Sequence, residues 1–441
     1  MNTAVRRTPP GPSEKYDTSQ DLLSWMTDHF ERYGNIYKAY IYGTNVYVVN
    51  DPQYVVYVLR KNWENYKKGR DAKRVRLVMG NGLVVSEGEL WKKQRRTMQP
   101  VFHRDSIGAL TPIITSANIA LLKKWEQAAG RKESVNVTRD TSLMVLEVVL
   151  TSIFGDDCEQ VAPHFRVLSD ESERDLQFAQ TFRALAEIII QVAAKRRGQN
   201  IISHDILGML MEARDRQSGE SMPDHQLVNE IITLIVAGHE TTACALNWTW
   251  YLLSQNPEVE RKLSKELSIP LGGEFPQLND LPKFAYTRQV IDEALRLYPP
   301  LWLITRRAVK DDQLGEYFVP AGTEIYISPY LIQRHPAFWE APDQFNPDRF
   351  NPDQSRHRHE LAMLPFGAGP RNCIGEFFAQ IEMQIHLITV AKKLRLRYVG
   401  GEHLELDVGV NLRSKHDFIM NPEIKARAHC LCDQHQEEPT T

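Results

Sequence analysis

The chain has 441 residues, 42% hydrophobic and 25% charged, a globular composition that excludes a disordered, collagen-like or low-complexity protein. Lys plus Arg number 53 against 56 Asp plus Glu, a net charge of -3, so nothing draws the whole chain toward nucleic acid or an anionic membrane. Five scattered cysteines, an odd number, argue against a disulfide framework and for a reducing compartment.

No Pro-, Gly- or Ser-rich linker divides the chain, so one body is expected: residues 1–20 as a mobile arm, 21–422 as a single domain and 423–441 as a polar tail. The first residues lack the apolar core of a signal peptide and the run of about 20 apolar residues that a membrane span needs. That predicts a cytoplasmic chain with no membrane span. The segment 39–50 alternates and is rich in β-branched and aromatic residues, which predicts a hairpin about Gly43. Pro52 opens a helix through Leu59, the basic stretch 67–82 reads as a loop, and helical pattern resumes at Glu89. Between Ala109 and Asn256 a period near 3.6 dominates, with breaks at Gly130, Gly155, Gly198 and Gly219. Within it the apolar run 231–237 is interrupted by Gly238, His239 and Glu240, too early for a bilayer and typical of a buried helix. Strand patterns return at 301–309 and 317–329, before a Pro-rich loop and a last helix. The class is therefore mainly α with a small β region.

The segment Phe366-Gly-Ala-Gly-Pro-Arg-Asn-Cys-Ile-Gly375 is a Gly-rich loop that runs straight into an amphipathic stretch beginning at Glu376. A cysteine at a helix N-terminus is biased toward the thiolate, the form that binds iron. Gly369 and Gly375 remove side chains where a planar cofactor would need close backbone approach. A lone cysteine there is ordinarily a packing residue; the fixed offsets of Phe366, Gly369, Arg371, Cys373 and Gly375 set this one apart.

That pattern, F-x-x-G-x-R-x-C-x-G, resembles the haem-binding loop of the cytochrome P-450 superfamily. Glu293-Ala-Leu-Arg296 is similar to the family's E-x-x-R helix, and Phe345-Asn-Pro-Asp-Arg-Phe350 to the loop whose arginine completes that cluster. Ala237-Gly-His-Glu-Thr-Thr242 resembles the oxygen-activating part of its long central helix. The four stand in the family's order, and the likeness runs from about Leu22 to Met420.

The resemblance implies a cytochrome P-450 fold with a long central helix over haem b, whose iron takes the thiolate of Cys373; such a ligand favours O–O cleavage. It implies a monooxygenase that hydroxylates or epoxidises a lipophilic small molecule, fatty acid or terpenoid-like. Dioxygen is the oxidant, and two electrons come from a ferredoxin or flavodoxin with its reductase. A monomer that binds no nucleic acid is expected. Phe366, Gly367, Gly375 and Ala237 are implied beside the haem, and Trp91, Arg95, Arg306 and Arg371 at its propionates, with His103 a further candidate. Glu240 and Thr241 are implied as the proton relay, with Gly238 and the threonine hydroxyls opening a notch in the helix. Glu293, Arg296 and Arg349 are expected to form a buried ionic cluster of structural role. Lys92, Lys93 and Arg96 offer a face for an acidic redox partner.

Substrate contacts are expected from 75–84, Ile235, Ala237, 301–305 and the turn near Phe418. Between Phe154 and Asp224 the chain has about 70 residues, roughly 20 fewer than the family uses for its lid, about one helix plus a turn. Rival readings are a peroxide-driven peroxygenase or haem-thiolate isomerase, a haem-based sensor or ligand carrier, and a helical scaffold without cofactor. A zinc site at His429, Cys430, Cys432 and His435 is disfavoured by the crowding of its ligands.

Overall fold

The run Asp224–Gln255 holds no proline and a single glycine, and in a computed structural model of the chain it forms one uninterrupted helix of 32 residues. The structure describes residues 7–164, 174–401 and 404–425. This central helix is buried on nearly every side, through Leu227, Ile231, Ile235, Leu246, Trp248 and Trp250 among others. A helix that is apolar all round belongs inside a core.

Its neighbours are fixed by a few buried polar contacts. The helix Val137–Phe154 packs along it. The ring Nε2 of His239 lies 2.9 Å from Ser142 Oγ and 3.0 Å from the Ser142 carbonyl, and a Cβ on Gly238 would meet Val149 at 3.4 Å. Gly238 therefore serves close helix packing. The last helix, Glu376–Ala391, sits beneath, against Thr111–Arg131. There Trp250 Nε1 donates to His386 Nε2 at 2.8 Å, while His386 Nδ1 meets Asn118 Oδ1 at 2.7 Å. Burial pushes the imidazole down to about 3, so the ring is neutral, with Nδ1–H donating to Asn118.

Among the described residues one helical stretch, Arg104–Arg131, is long and apolar enough by composition to cross a bilayer, although half of its apolar window is buried in the fold. Ile114, Leu121, Leu122 and Trp125 on it join the main hydrophobic cluster. Counting unbroken apolar runs overlooks this helix, because Thr, Ser and Asn punctuate it.

Twelve short strands occur among the described residues: β1 (Ile36–Ile41), β2 (Thr44–Val49), β3 (Tyr66–Lys68), β4 (Val135–Asn136), β5 (Ile304–Ala308), β6 (Asp312–Leu314), β7 (Tyr317–Val319), β8 (Glu324–Ile327), β9 (Leu394–Tyr398), β10 (Leu406–Val408), β11 (Leu412–Ser414) and β12 (Ile419–Ile424). The largest sheet has the order β1-β2-β8-β5-β3, with only β2 and β8 parallel. Tyr42 and Gly43 both take positive φ, 48° and 76°, the two-residue turn that matches strand twist. A second sheet is β4-β12-β9, and β6–β7 and β10–β11 are hairpins.

Several expectations change. Within the arm, residues from Arg7 onward lie along the sheet: Phe318 N donates to the Arg7 carbonyl, Lys38 N to Pro10 and Tyr16 N to Tyr40, and Tyr16 is buried. Residues 1–6 lie outside the described set. The tail's first residues, Glu423 and Ile424, belong to β12 and pair with β9; residues 426–441, with the four candidate zinc ligands, lie outside the described residues. The presumed loop 67–82 contains the end of β3 and a helix, Asp71–Met79. The helix from Pro52 stops at Val56 and continues as a wider turn, Tyr57–Lys61, closed by Asn62 N donating to the Tyr57 carbonyl at 2.8 Å.

Glu293 and Arg296 are fully buried and Arg349 nearly so. Arg296 donates to Glu293 at 2.6 and 2.8 Å, Arg349 Nε to Glu293 at 2.9 Å, and the remaining guanidinium N–H groups go to the carbonyls of Gln333, Glu340, Ala341, Pro342 and Gln344. The cluster ties the helix Ala285–Leu297 to the irregular segment that precedes Cys373. Glu293→Ala should destabilise the chain by about 3–5 kcal/mol, because two buried guanidinium groups lose their counter-charge. Denaturant unfolding checks this, and a loss below about 1 kcal/mol, the scale of an exposed pair, contradicts it.

Candidate functional site

Cys373 ends a loop shaped by two glycines of positive φ, Gly367 at 71° and Gly369 at 74°, and its N–H donates to the Phe366 carbonyl at 2.9 Å. A Cβ at Gly369 would collide with the backbone carbonyl of Leu59, so this glycine makes room for the chain itself, not for a cofactor as expected. A Cβ at Gly375 would meet only Cys373 Sγ, at 4.0 Å; its bareness keeps the sulfur's surroundings clear. Cys373 is solvent-accessible yet densely surrounded by protein, as a residue lining an internal cleft would be. Phe366 and Gly367 border a groove of about 680 Å³ with Arg288 and Asn372.

The helix-terminus bias toward thiolate does not prevail in the protein alone. Burial pushes the Cys373 thiol up, and Glu376 adds to this, against a backbone hydrogen bond from Gly375 and the charge of Arg95. Ionisation of this sulfur is left to a bound metal.

Around the loop gathers an excess of positive charge. Lys68 on β3 and Arg306 on β5 are register partners, and Arg371 stands two residues before the cysteine. Arg371 donates to Glu87 and to the Ser86 carbonyl, its guanidinium stacks 4.3 Å from the centre of the buried Trp91 ring, and its Nε has no hydrogen-bond partner among the described residues. Lys68 Nζ donates to the Val84 carbonyl. Burial, then the charges of Arg306 and Arg371, push Lys68 down to about 7; burial, then Arg371, push Arg306 to about 10. Glu87 is the acid named among the charges acting on all three. Arg95, on the Trp91 helix, donates to the Asn372 carbonyl and side chain at 2.8 and 2.9 Å. A set of half-buried cations with one carboxylate and an orphaned N–H suits a dianionic ligand, and haem has two propionates. Lys68 escapes sequence reading because only the β3–β5 pairing places it beside Arg306. Arg307 turns the other way, 3.7 Å from Glu324.

On the central helix Ala237, Glu240 and Thr241 keep accessibility amid buried neighbours, at the i, i+3, i+4 spacing of one face. Thr241 Oγ1 donates back to the Ala237 carbonyl at 2.7 Å, a local bond by which threonine competes for a helix carbonyl and often bends the helix. Glu240 accepts from Arg413 of β11 at 3.0 Å, and Arg413 also binds Asp407 of β10 at 2.8 Å. The hairpin is docked further by Cys244 and Trp248, both donating to the Leu412 carbonyl. Its turn carries Val410, 80% exposed, beside Pro300 and Trp302, whose backbone oxygen and indole N–H bond Leu412 and Gly409. Phe418, expected at the substrate, is buried among Trp248, Tyr251 and Tyr398.

Two other expectations change. His103 is a surface residue, its side chain 72% exposed and 3.7 Å from Asp105. Lys92 is paired with Glu89 and Glu64, Lys93 with Glu220, and Arg96 with the buried Asp215, so this helix presents neutralised pairs and not a bare basic patch. In the shortened lid region a 25-residue helix, Arg174–Gly198, packs on the central helix and on Asp71–Met79; residues 165–173 lie outside the described set.

The sequence profile of the family described as "Cytochrome P450" matches residues 11–168 and 160–407, two stretches that meet inside that shortened region. Cyclooctat-9-en-7-ol 5-monooxygenase of Streptomyces melanosporofaciens is 31% identical over 84% of this chain and 84% of its own length. Pentalenene oxygenase of Streptomyces avermitilis is 30% identical over 90% and 92%. A solved structure, retinoic acid-bound cyanobacterial CYP120A1, superposes with a TM-score of 0.85 over 95% of this chain and 100% of its own at 23% identity, a likeness of fold.

Removing one cation from the set should loosen whatever dianion it holds. Lys68→Met and Arg306→Leu are each expected to speed haem transfer to an apo-globin acceptor about tenfold or more, the worth of a charge-assisted hydrogen bond of about 1.5–3 kcal/mol. Transfer rates equal to those of the unchanged protein would remove these residues from the propionate site.

Proposed function

The chain belongs to the cytochrome P450 family, whose members carry haem b on a cysteine thiolate and act as monooxygenases, and on that premise we propose that it hydroxylates or epoxidises a terpenoid-like, hydrocarbon-rich molecule in the cytoplasm, drawing two electrons from a separate ferredoxin or flavodoxin system. The observation that carries the reading is Cys373 set in a Gly-rich loop beside half-buried cations. The named activities of the two Streptomyces relatives and the apolar exposure of Val84, Leu301 and Val410 support the substrate class. Cys158 and Cys373, both free thiols, support a reducing compartment.

Haem with a thiolate ligand supplies dioxygen activation. Cys373 provides the sulfur, and Arg95, Arg306, Arg371 and Lys68 provide charge for the propionates, with Trp91 stacked beneath Arg371. Thr241 keeps its oxygen lone pairs free to accept from a water while its proton rests on the Ala237 carbonyl. Glu240 stands next to it as the acid of the relay, and Arg413 fixes its direction. Glu240 and Thr241 together support use of dioxygen in preference to peroxide, since only the former needs protons delivered to a bound oxygen molecule.

The expected result is turnover of a terpenoid hydrocarbon that requires dioxygen and a reductase system. Thr241→Ala should raise peroxide released per product at least about tenfold, because the group that positions the relaying water is lost and a positioned proton relay is worth about a hundredfold or more. Full activity with peroxide alone, or unchanged coupling in the variant, would contradict the reading.

A further inference from the structure

Residues Gly80–Ser86 form a tight turn pressed onto the first third of the central helix. A Cβ at Gly80 would collide with the side chain of Asn229, and one at Gly82 with Thr233. Val85 N and Ser86 N both donate to the Gly82 carbonyl at 3.0 Å. The inner side of the turn is fastened by Glu230, which is fully buried. Its Oε2 accepts from Leu83 N at 2.8 Å and its Oε1 from Gln226 Nε2 at 2.6 Å. Gln94 Nε2 holds the neighbouring Asn81 carbonyl at 2.9 Å. The outer side is different in kind: Val84 is exposed, its carbonyl takes Lys68, and Ser86 and the adjoining Glu87 hold Arg371. One short strap thus joins a buried acid to the cationic set and to an apolar side chain at the cleft.

We propose that Glu230 is a positioning residue that clamps the Gly80–Ser86 turn over the substrate side of the cleft, and that losing its proton loosens the clamp. The groups facing the carboxyl are the Leu83 N–H from the turn and Gln226 from its own helix, and no charged side chain contributes to its shift. Arg76 and Lys68 bind the Val85 and Val84 carbonyls of the turn. Burial pushes Glu230 up to about 7 from 4.5. With the turn lifted, water returns and the acid moves back toward its ordinary range. The clamped state therefore binds the proton more tightly, so clamping is full below about 4.5 and is lost as pH rises through about 7. The neutral acid still accepts the Leu83 N–H on its carbonyl oxygen.

The place of the turn at the substrate side rests on the haem-thiolate reading; its motion does not. Amide hydrogen exchange of Gly80–Ser86 in the holoprotein, corrected for intrinsic exchange, reads the clamp directly. Between about pH 5 and pH 8 its protection should fall more than about tenfold, whereas in Glu230→Gln only the smaller fall that comes from Lys68 releasing the Val84 carbonyl should remain. Dissociation of phenylimidazole from the holoprotein should accelerate along the same curve and lose that dependence in the variant. Protection in the unchanged protein that does not vary with pH overturns the proposal, as does an equal fall in Glu230→Gln. A turn that loosens while phenylimidazole release stays constant overturns its role at the cleft and leaves the haem reading standing.

Discussion

Gathering like charges is costly unless something opposite joins them, and this structure brings Lys68, Arg306 and Arg371 together beside the cysteine loop with Glu87 among them. The three come from residues far apart in the chain, so the arrangement exists only because β3 pairs with β5 and the cysteine loop folds against the Trp91 helix. Much of the surrounding architecture secures that convergence. The Glu293–Arg296–Arg349 cluster holds the segment leading to the loop, and Trp339 lies flat against Arg296 and Arg358 within it, at 4.9 and 3.9 Å. Gly369 lets the loop touch the Leu59 carbonyl, locking it to the turn after Pro52.

The distal side is built by a second set of polar contacts. Glu240 is an accessible acid midway along a helix largely packed into the core, and Arg413 draws it toward the β10–β11 hairpin. That hairpin also presents the exposed Val410, so the residue that holds the acid and an exposed apolar side chain share one hairpin. Further along the same helix Glu230 holds a second turn from within. The substrate side is thus framed by two short segments, each tied to the central helix through a carboxylate.

Local chemistry was legible in the sequence wherever spacing alone specifies it. The loop around Cys373, the i, i+3 pair Glu293 and Arg296, the Tyr42–Gly43 hairpin and the long helix after Pro223 all announce themselves. What pairing over long separations decides was not legible: Lys68 beside Arg306, Arg413 on Glu240, Leu83 on Glu230. The helix Asp71–Met79 hid behind its basic residues, and β9–β12 are too short to show a period. One glycine was assigned the wrong neighbour, since Gly369 meets the Leu59 carbonyl where a cofactor was expected. The basic face of the Trp91 helix reads as a patch in one dimension and as paired charges in three.

The central claim is that the sulfur of Cys373 is the axial ligand to haem iron at this cationic site. The absorption spectrum of the reduced, carbon monoxide-bound protein tests it most directly. A Soret band strongly red-shifted from that of histidine-ligated haem, lost in Cys373→Ala while haem is still bound, is the expected result. A spectrum of the histidine type in the unchanged protein, or a red-shifted band that survives in Cys373→Ala, would contradict it.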